Sequence, residues 1–231
     1  MFHVNTRQTM LPHPVPVDAG VEPAVIDKPF LQFIAPGDDP GEAETSYRLY
    51  RVIDGCLAVC HLLADGRRQI TDIVGPGRTI AHQPARDTGR SIKALTFTEV
   101  DVLSPAANPK LASETALDAL ERLARHATLL GRMNATEKVA NALIDLAAQF
   151  PRKLRNGRPT LTLYLTRSDL ADWLGLTIET VSRTLNQFKR EGVIDYVHAE
   201  IVTLTRMERL KEIASGNNPA ASARSNGKGK A

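Results

Sequence analysis

Residues 165–190 constrain the fold more than any other stretch of the chain. Thr166 can cap a helix that begins at Arg167, with Asp169 near the positive end of its dipole and Leu170, Ala171 and Leu174 on its inner face. Gly175 breaks that helix, and Thr177 caps a second one from about residue 178 to 190, with Ile178, Val181, Leu185 and Phe188 turned inward. Two helices that cross steeply need a small residue at the contact, a glycine for positive φ in the turn, and apolar residues that lock one to the other. Ala171, Gly175 and the set Leu170, Leu174, Leu176 and Val181 supply these in order, which predicts a helix-turn-helix. Immediately behind it, residues 193–196 and 201–204 flank a turn at 197–200 as a hairpin, so the unit reads as a winged helix-turn-helix.

Left outward on the second helix are Glu179, Thr180, Ser182, Arg183, Asn186 and Gln187, donors and acceptors suited to base edges. Arg183 can fork onto guanine O6 and N7, Glu179 can accept from cytosine N4, and Ser182 is small enough for close approach to a base or phosphate. The plainer reading of Glu179 and Arg183, four residues apart, is a surface ion pair worth roughly 0.3 to 0.5 kcal/mol, which would also preorient the arginine. Thr177, Thr180, Lys189 and Arg190 are candidates for the DNA backbone. Lys189, Arg190 and the arginines Arg152, Arg155 and Arg158 are equally open to being solvated charges. One such helix reads too few base pairs for genomic discrimination, whereas a two-fold dimer doubles the readout and sets half-sites about one helical turn apart.

The preceding residues follow a different grammar. Prolines 12, 14, 16, 23 and 29 keep residues 1–29 extended, though Phe30, Phe33 and Ile34 can pack on the strands after them. From Tyr47 the chain alternates, with Cys56, Ala58, Cys60 and Leu62 on one face of a strand and Leu57, Val59, His61 and Leu63 on the other, a pattern for burial on both sides. Asp65-Gly66 turns it into a return strand over 69–74, Gly75-Pro76-Gly77 closes that, and two more apolar clusters lie at 92–97 and 100–103. The fold class is therefore α+β, with an antiparallel β-roll over residues 30–104. Beyond Ser104-Pro105 the period becomes 3.6, and Ala116, Leu120, Leu123, Ala127 and Leu130, widened by Leu117, Ala124 and Gly131, stripe a long helix within 105–133. The stripe exceeds what one roll needs for cover, so Leu117, Leu120, Leu123, Ala124, Ala127 and Leu130 are expected to pair with a second copy; the alternative is packing on their own domain. Asn134 with Glu137 has capping-box spacing ahead of a further helix to Phe150, Pro151 stops it, and residues 152–159 read as an exposed loop or linker. The winged unit spans 134–214, and a tail over 215–231 is expected to be disordered.

Charge and composition narrow the partners. Residues 151–231 hold 14 Lys and Arg against 8 Asp and Glu, net +6, leaving −3 for residues 1–150 of the whole-chain +3. The C-terminal part is the one an anionic partner prefers. With 42% hydrophobic and 24% charged residues among 231, the chain is ordinary globular material. Two cysteines, Cys56 and Cys60, exclude a disulfide scaffold, and no apolar run reaches membrane-spanning length. The first twenty residues lack the basic start and apolar centre of a secretory signal, so a soluble, cytoplasmic protein is expected, with no membrane partner. No phosphate-binding glycine loop, metal-ligand spacing or nucleophile elbow points to an enzyme, and His61, His82, His126 and His198 are scattered.

Residues 165–183, LTRSDLADWLGLTIETVSR, resemble the DNA-binding signature of the CRP/FNR transcription regulators, most closely its FNR and FixK branches. Glu179-Thr180-Val181-Ser182-Arg183 matches their E-x-x-S-R base-reading motif, and the roll, long helix and Asn134-Ala135-Thr136-Glu137 cap precede it in the family's order, over about residues 30–214. The resemblance implies a cyclic-nucleotide-binding-domain-like roll, and a homodimer on a palindromic promoter site with TTGA-type half-sites that activates transcription by touching RNA polymerase. In the family's cyclic-nucleotide sensors a glycine-glutamate pair holds the ribose and an arginine-serine pair about ten residues later holds the phosphate. Arg90-Ser91 is present here, but Thr79-Ile80-Ala81 stands where the first pair belongs. The oxygen sensors hold an iron-sulfur cluster through cysteines near the N-terminus, and residues 1–55 contain none. Within a strand Cys56 and Cys60 lie about 13 Å apart, too far for one ion. No metal and no cofactor is expected, and both thiols read as buried core. The expectation is a FixK-like regulator without a bound effector; the alternative is a ligand-gated one whose roll binds a cyclic nucleotide or another small molecule.

Overall fold

The computed structural model describes residues 28–41, 46–82, 89–155, 157–196, 198 and 200–216; the expected lead-in before 28 and the tail beyond 216 lie outside the described residues. Seven strands come first: β1 (Phe30–Ile34), β2 (Arg48–Asp54), β3 (Leu57–Leu62), β4 (Arg68–Val74), β5 (Thr79–His82), β6 (Arg90–Ala94) and β7 (Thr98–Leu103). They pair antiparallel in two sheets, of order β1-β7-β2-β5 and β4-β3-β6. Tyr50, Val52, Leu57, Val59, Ile92, Val100 and Val102 fill the roll between the sheets. Of the three residues expected to pack at the start, Ile34 is buried, Phe33 lies on the outward face of β1, and Phe30, on the Ile34 face but at the strand's first position, is exposed.

The β3 alternation has two destinations. Leu57 and Val59 enter the roll core, while Cys56, Ala58 and Cys60 enter a second core shared with the helices that come after the roll. Leu62 and Leu63, at the hairpin end, are exposed. Gly55 (φ +92°) makes the turn into β3, where a Cβ would stand 2.5 Å from the Phe97 carbonyl oxygen, so backbone contact as well as φ excludes a side chain.

The first helix, α1 (Pro109–Arg132), lies on the roll through Thr115 and His126, both buried. Arg122 ties it down, with Nε 2.7 Å from Asp72 and both terminal nitrogens on Asp145, while Arg78 reaches Asp72 and Asp118. The opposite face of α1 is uncovered: Leu117 and Leu120 are each 63% exposed and Leu123 52%, with Ala116, Ala124 and Ala127 beside them. Leu130 differs, being half-buried beside the Gly175 turn.

Asn134 and Glu137 close a capping box at the head of α2 (Ala135–Gln149). Residues 151–162 then form a hairpin rather than a linker: β8 (Pro151–Arg155) pairs with β9 (Arg158–Thr162). Proline suits this outermost strand because no ladder donor is needed there, and the alternation Thr160-Leu161-Thr162-Leu163, with Leu161 and Leu163 buried, is the signal for it in the sequence. Next come α3 (Arg167–Leu174), α4 (Ile178–Arg190), β10 (Ile194–Tyr196), β11 (Ile201–Leu204) and α5 (Met207–Ala214), the strands completing a sheet of order β10-β11-β9-β8. No sequence-based expectation covers α5; Leu210 and Ile213, three apart and buried, mark its inner face, and Asn141 of α2 donates to its last carbonyl.

A clamp holds the helix-turn-helix unit to the roll. Arg68 on β4 donates to Asp169 (2.6 Å) and twice to Asp172 (2.9 and 2.7 Å), and Gln69 donates to the Asp172 carbonyl oxygen at 2.6 Å. Asp169 also closes the α3 capping box through the Thr166 backbone and hydroxyl, so one carboxylate serves both the helix start and the inter-unit contact. Arg68 is one-third exposed, so solvent screening reduces the value of the contact below that of a fully buried pair. Arg68→Ala is expected to lower stability by about 1 to 2 kcal/mol, seen as a lower urea midpoint at unchanged m-value.

Candidate nucleic-acid interface

Local rules place α4. Gly175 ends α3 in the left-handed region (φ +58°), and the Thr177 hydroxyl accepts from the Thr180 backbone N–H at 3.2 Å. Val181, Leu185 and Phe188 are fully buried, each contributing about 1.5 to 3 kcal/mol of hydrophobic stabilisation. Ile178, expected on the same inner face, is 46% exposed, because only the later turns of α4 lie against its neighbours.

Glu179, Ser182 and Arg183 share the outward face at helical spacing, with Thr180 and Asn186 alongside. Backbone N–H and the Thr177 hydroxyl at the helix start hold the Glu179 carboxyl below its usual range, so it stands ionised. Among the described residues no ion pair joins it to Arg183. Instead Arg183 donates to the Thr180 hydroxyl (3.3 Å), whose oxygen lies 3.1 Å from that of Thr177.

The remaining backbone candidates separate. Arg190 is exposed at the end of α4, whereas Lys189 donates from Nζ to the Tyr196 carbonyl oxygen (2.8 Å) and lies 4.2 Å from that ring's centre. Arg152 is on β8, three strand spacings or about 14 Å from β10, and Arg158 is on β9, two spacings or about 10 Å from it. Tyr196, whose hydroxyl donates to Asn186 Oδ1 at 2.7 Å, is a member of this face that the sequence pattern does not reveal.

Two cavities lie elsewhere. One of about 190 Å³ lies between the roll and α1, lined by Ile80, Ala81 and Arg90 from the roll and by Thr115, Ala119 and Leu123 from the helix, and there Arg90 donates to the Ala81 carbonyl oxygen at 2.9 Å. The other, about 590 Å³, separates α1 from α2 and is spanned by the Arg122–Asp145 pair. Burial raises the Cys56 and Cys60 thiols, keeping them protonated, which does not suit an iron-sulfur cluster that binds thiolates. Among the described residues no cluster of three metal-ligating side chains occurs, and no helix is long and apolar enough to cross a membrane.

A β-roll, a long helix and a winged helix-turn-helix with a polar outward face define a class, the DNA-binding transcription regulators. The Crp-like helix-turn-helix domain model matches residues 137–213. The nitrogen fixation regulation protein FixK of Azorhizobium caulinodans is 32% identical over 185 residues, covering 76% of this chain and 75% of the relative. The transcriptional activator protein FnrL of Cereibacter sphaeroides is 36% identical over 181 residues, covering 72% and 73%. The solved structure of FixK2 from Bradyrhizobium japonicum superposes with a TM-score of 0.70 at 26% identity, covering 80% of this chain and 97% of that one. The chain belongs to the CRP/FNR family of DNA-binding transcription regulators and is FixK-like within it.

Proposed function

We propose that the protein acts as a homodimer on a palindromic promoter site with TTGA-type half-sites, and that it activates transcription by contact with RNA polymerase. The observation that carries this reading is the uncovered leucine face of α1, with Leu117, Leu120 and Leu123 more than half exposed on one side of a 24-residue helix. Fully burying such side chains against a second copy is worth about 1.5 to 3 kcal/mol each, and Ala124, Ala127 and the half-buried Leu130 extend the seam. Two copies of α4 then read two half-sites, Arg183 forking onto guanine while Glu179 and Ser182 read beside it. Thr177, Thr180 and Arg190 serve the DNA backbone, and Lys189, bonded to Tyr196, can reach a phosphate only with a donor left over from that contact. Activation is the reading favoured by the relative named as a transcriptional activator. The proposed division of labour is a roll over residues 30–104, a dimerisation helix within 105–133 and a DNA-binding unit over 134–214, with segments 1–29 and 215–231 outside these units.

DNA binding is proposed to need no effector. The cavity between the roll and α1, about 190 Å³, is below the usual range of small-molecule pockets, and Arg90 is directed to a carbonyl oxygen there. The test is a salt-controlled titration of ligand-free protein against the palindrome and a scrambled duplex, repeated with cyclic AMP. A preference of about 10³-fold or more without the nucleotide is expected. A preference that emerges only with the nucleotide would favour the second reading, a ligand-gated regulator in which Arg90-Ser91 holds a phosphate.

A further inference from the structure

We infer that Asn186, oriented by Tyr196 of the wing, is a further base-reading residue, donating to a hydrogen-bond acceptor on the base pair beside the guanine assigned to Arg183. The inference rests on the proposed reading of DNA by α4.

Asn186 is exposed and three residues beyond Arg183, which advances it about 4.5 Å along the helix axis, close to the 3.4 Å spacing of successive bases. An asparagine side chain can present either its oxygen or its two N–H donors, and a freely rotating amide reads nothing well. Here the Tyr196 hydroxyl donates to Oδ1 at 2.7 Å, which leaves Nδ2 as the end of the amide available to a partner. An acceptor on a base edge, such as guanine O6 or N7, thymine O4 or adenine N7, complements it.

Tyr196 is itself held. Lys189 Nζ lies 4.2 Å from its ring centre and donates to its carbonyl oxygen at 2.8 Å, and the Arg167 guanidinium carbon is 5.9 Å from the same ring. The ring is thus fixed by a cation from α4 and one from the first residue of α3, the arrangement that cation–π attraction favours. Tyr196 is a positioning residue, acting through Asn186, and Lys189 braces the wing strand.

The experiment compares Asn186→Ala, Tyr196→Phe and the double variant, as full-length proteins, on the palindrome, on scrambled DNA, and on palindromes altered at the base pair on either side of the guanine. Tyr196→Phe keeps the ring and its cations and removes just the hydroxyl, so its thermal midpoint should match the parent protein. Loss of a neutral hydrogen bond predicts up to a tenfold fall in palindrome affinity for Asn186→Ala, about threefold for Tyr196→Phe, and no further fall in the double variant. Asn186→Ala should also abolish discrimination at one of the two flanking base pairs. Equal losses on palindrome and scrambled DNA, additive losses in the double variant, or unchanged discrimination at both flanking pairs would overturn the inference, since a bond that merely steadies the wing leaves base preference alone. The parent protein's own preference for the palindrome, measured alongside, shows separately whether the underlying DNA reading stands.

Discussion

Arg183→Ala is expected to cost about 1 to 3 kcal/mol, roughly 5- to 150-fold, at each half-site and so about the square of that factor on the palindrome, while binding to scrambled DNA changes little. A bidentate arginine–guanine contact supplies that discrimination because the guanidinium fork matches O6 and N7 together, and no other base pair offers two acceptors at that spacing. Because Arg183 is exposed and bonded within the chain to the Thr180 hydroxyl, its removal should leave the fold intact, and a thermal melt checks this. Fluorescence anisotropy at fixed salt gives both affinities. Arg190→Ala is the natural control: removing a phosphate-binding charge from the end of α4 weakens both duplexes alike and flattens the salt dependence by about 0.9 per phosphate. Equal losses on the two duplexes from Arg183→Ala would remove base reading from Arg183.

The second large effect concerns the seam. Leu120→Glu is expected to convert a dimer into a folded monomer and to lower palindrome affinity by at least about 10²-fold, since one recognition helix then binds without the second half-site. Leu120 is 63% exposed in the single chain, so the glutamate meets water in the monomer and causes little loss of intrinsic stability. In the dimer two carboxylates would be brought into an apolar contact, where desolvation and like charge both oppose them. Light scattering on the eluting protein reports the mass, and the same anisotropy titration reports the DNA affinity. A variant that stays dimeric and keeps its affinity would place the seam elsewhere than on α1.

Much of the candidate interface is legible in the sequence. Thr166, Gly175 and Thr177 act within a few residues of themselves, so caps and a left-handed turn follow from spacing, as does the Asn134–Glu137 capping box. The outward position of Glu179, Ser182 and Arg183 is likewise a matter of helical period. The bonding of those residues is less legible. Spacing alone suggests Glu179 for Arg183, yet both four-residue and three-residue neighbours lie within reach on a helix, and Arg183 bonds Thr180, the three-residue one.

By itself, then, the sequence determined what depends on a handful of adjacent residues: the roll's alternation and turns, the long striped helix, and two capped helices around Gly175. The tertiary structure decided what joins distant parts. Arg68 and Asp172 are 104 residues apart, and nothing in the period of either segment announces the clamp between them. Tyr196 and Asn186 lie on a wing strand and a helix whose relative placement comes from packing of the buried Phe188 and Val193. Residues 151–162 became a hairpin because β11 offered an edge to pair with, where composition had suggested a linker. Short-range rules act through torsion angles and one or two local hydrogen bonds, whereas long-range pairs form only after the cores have closed and brought their partners together.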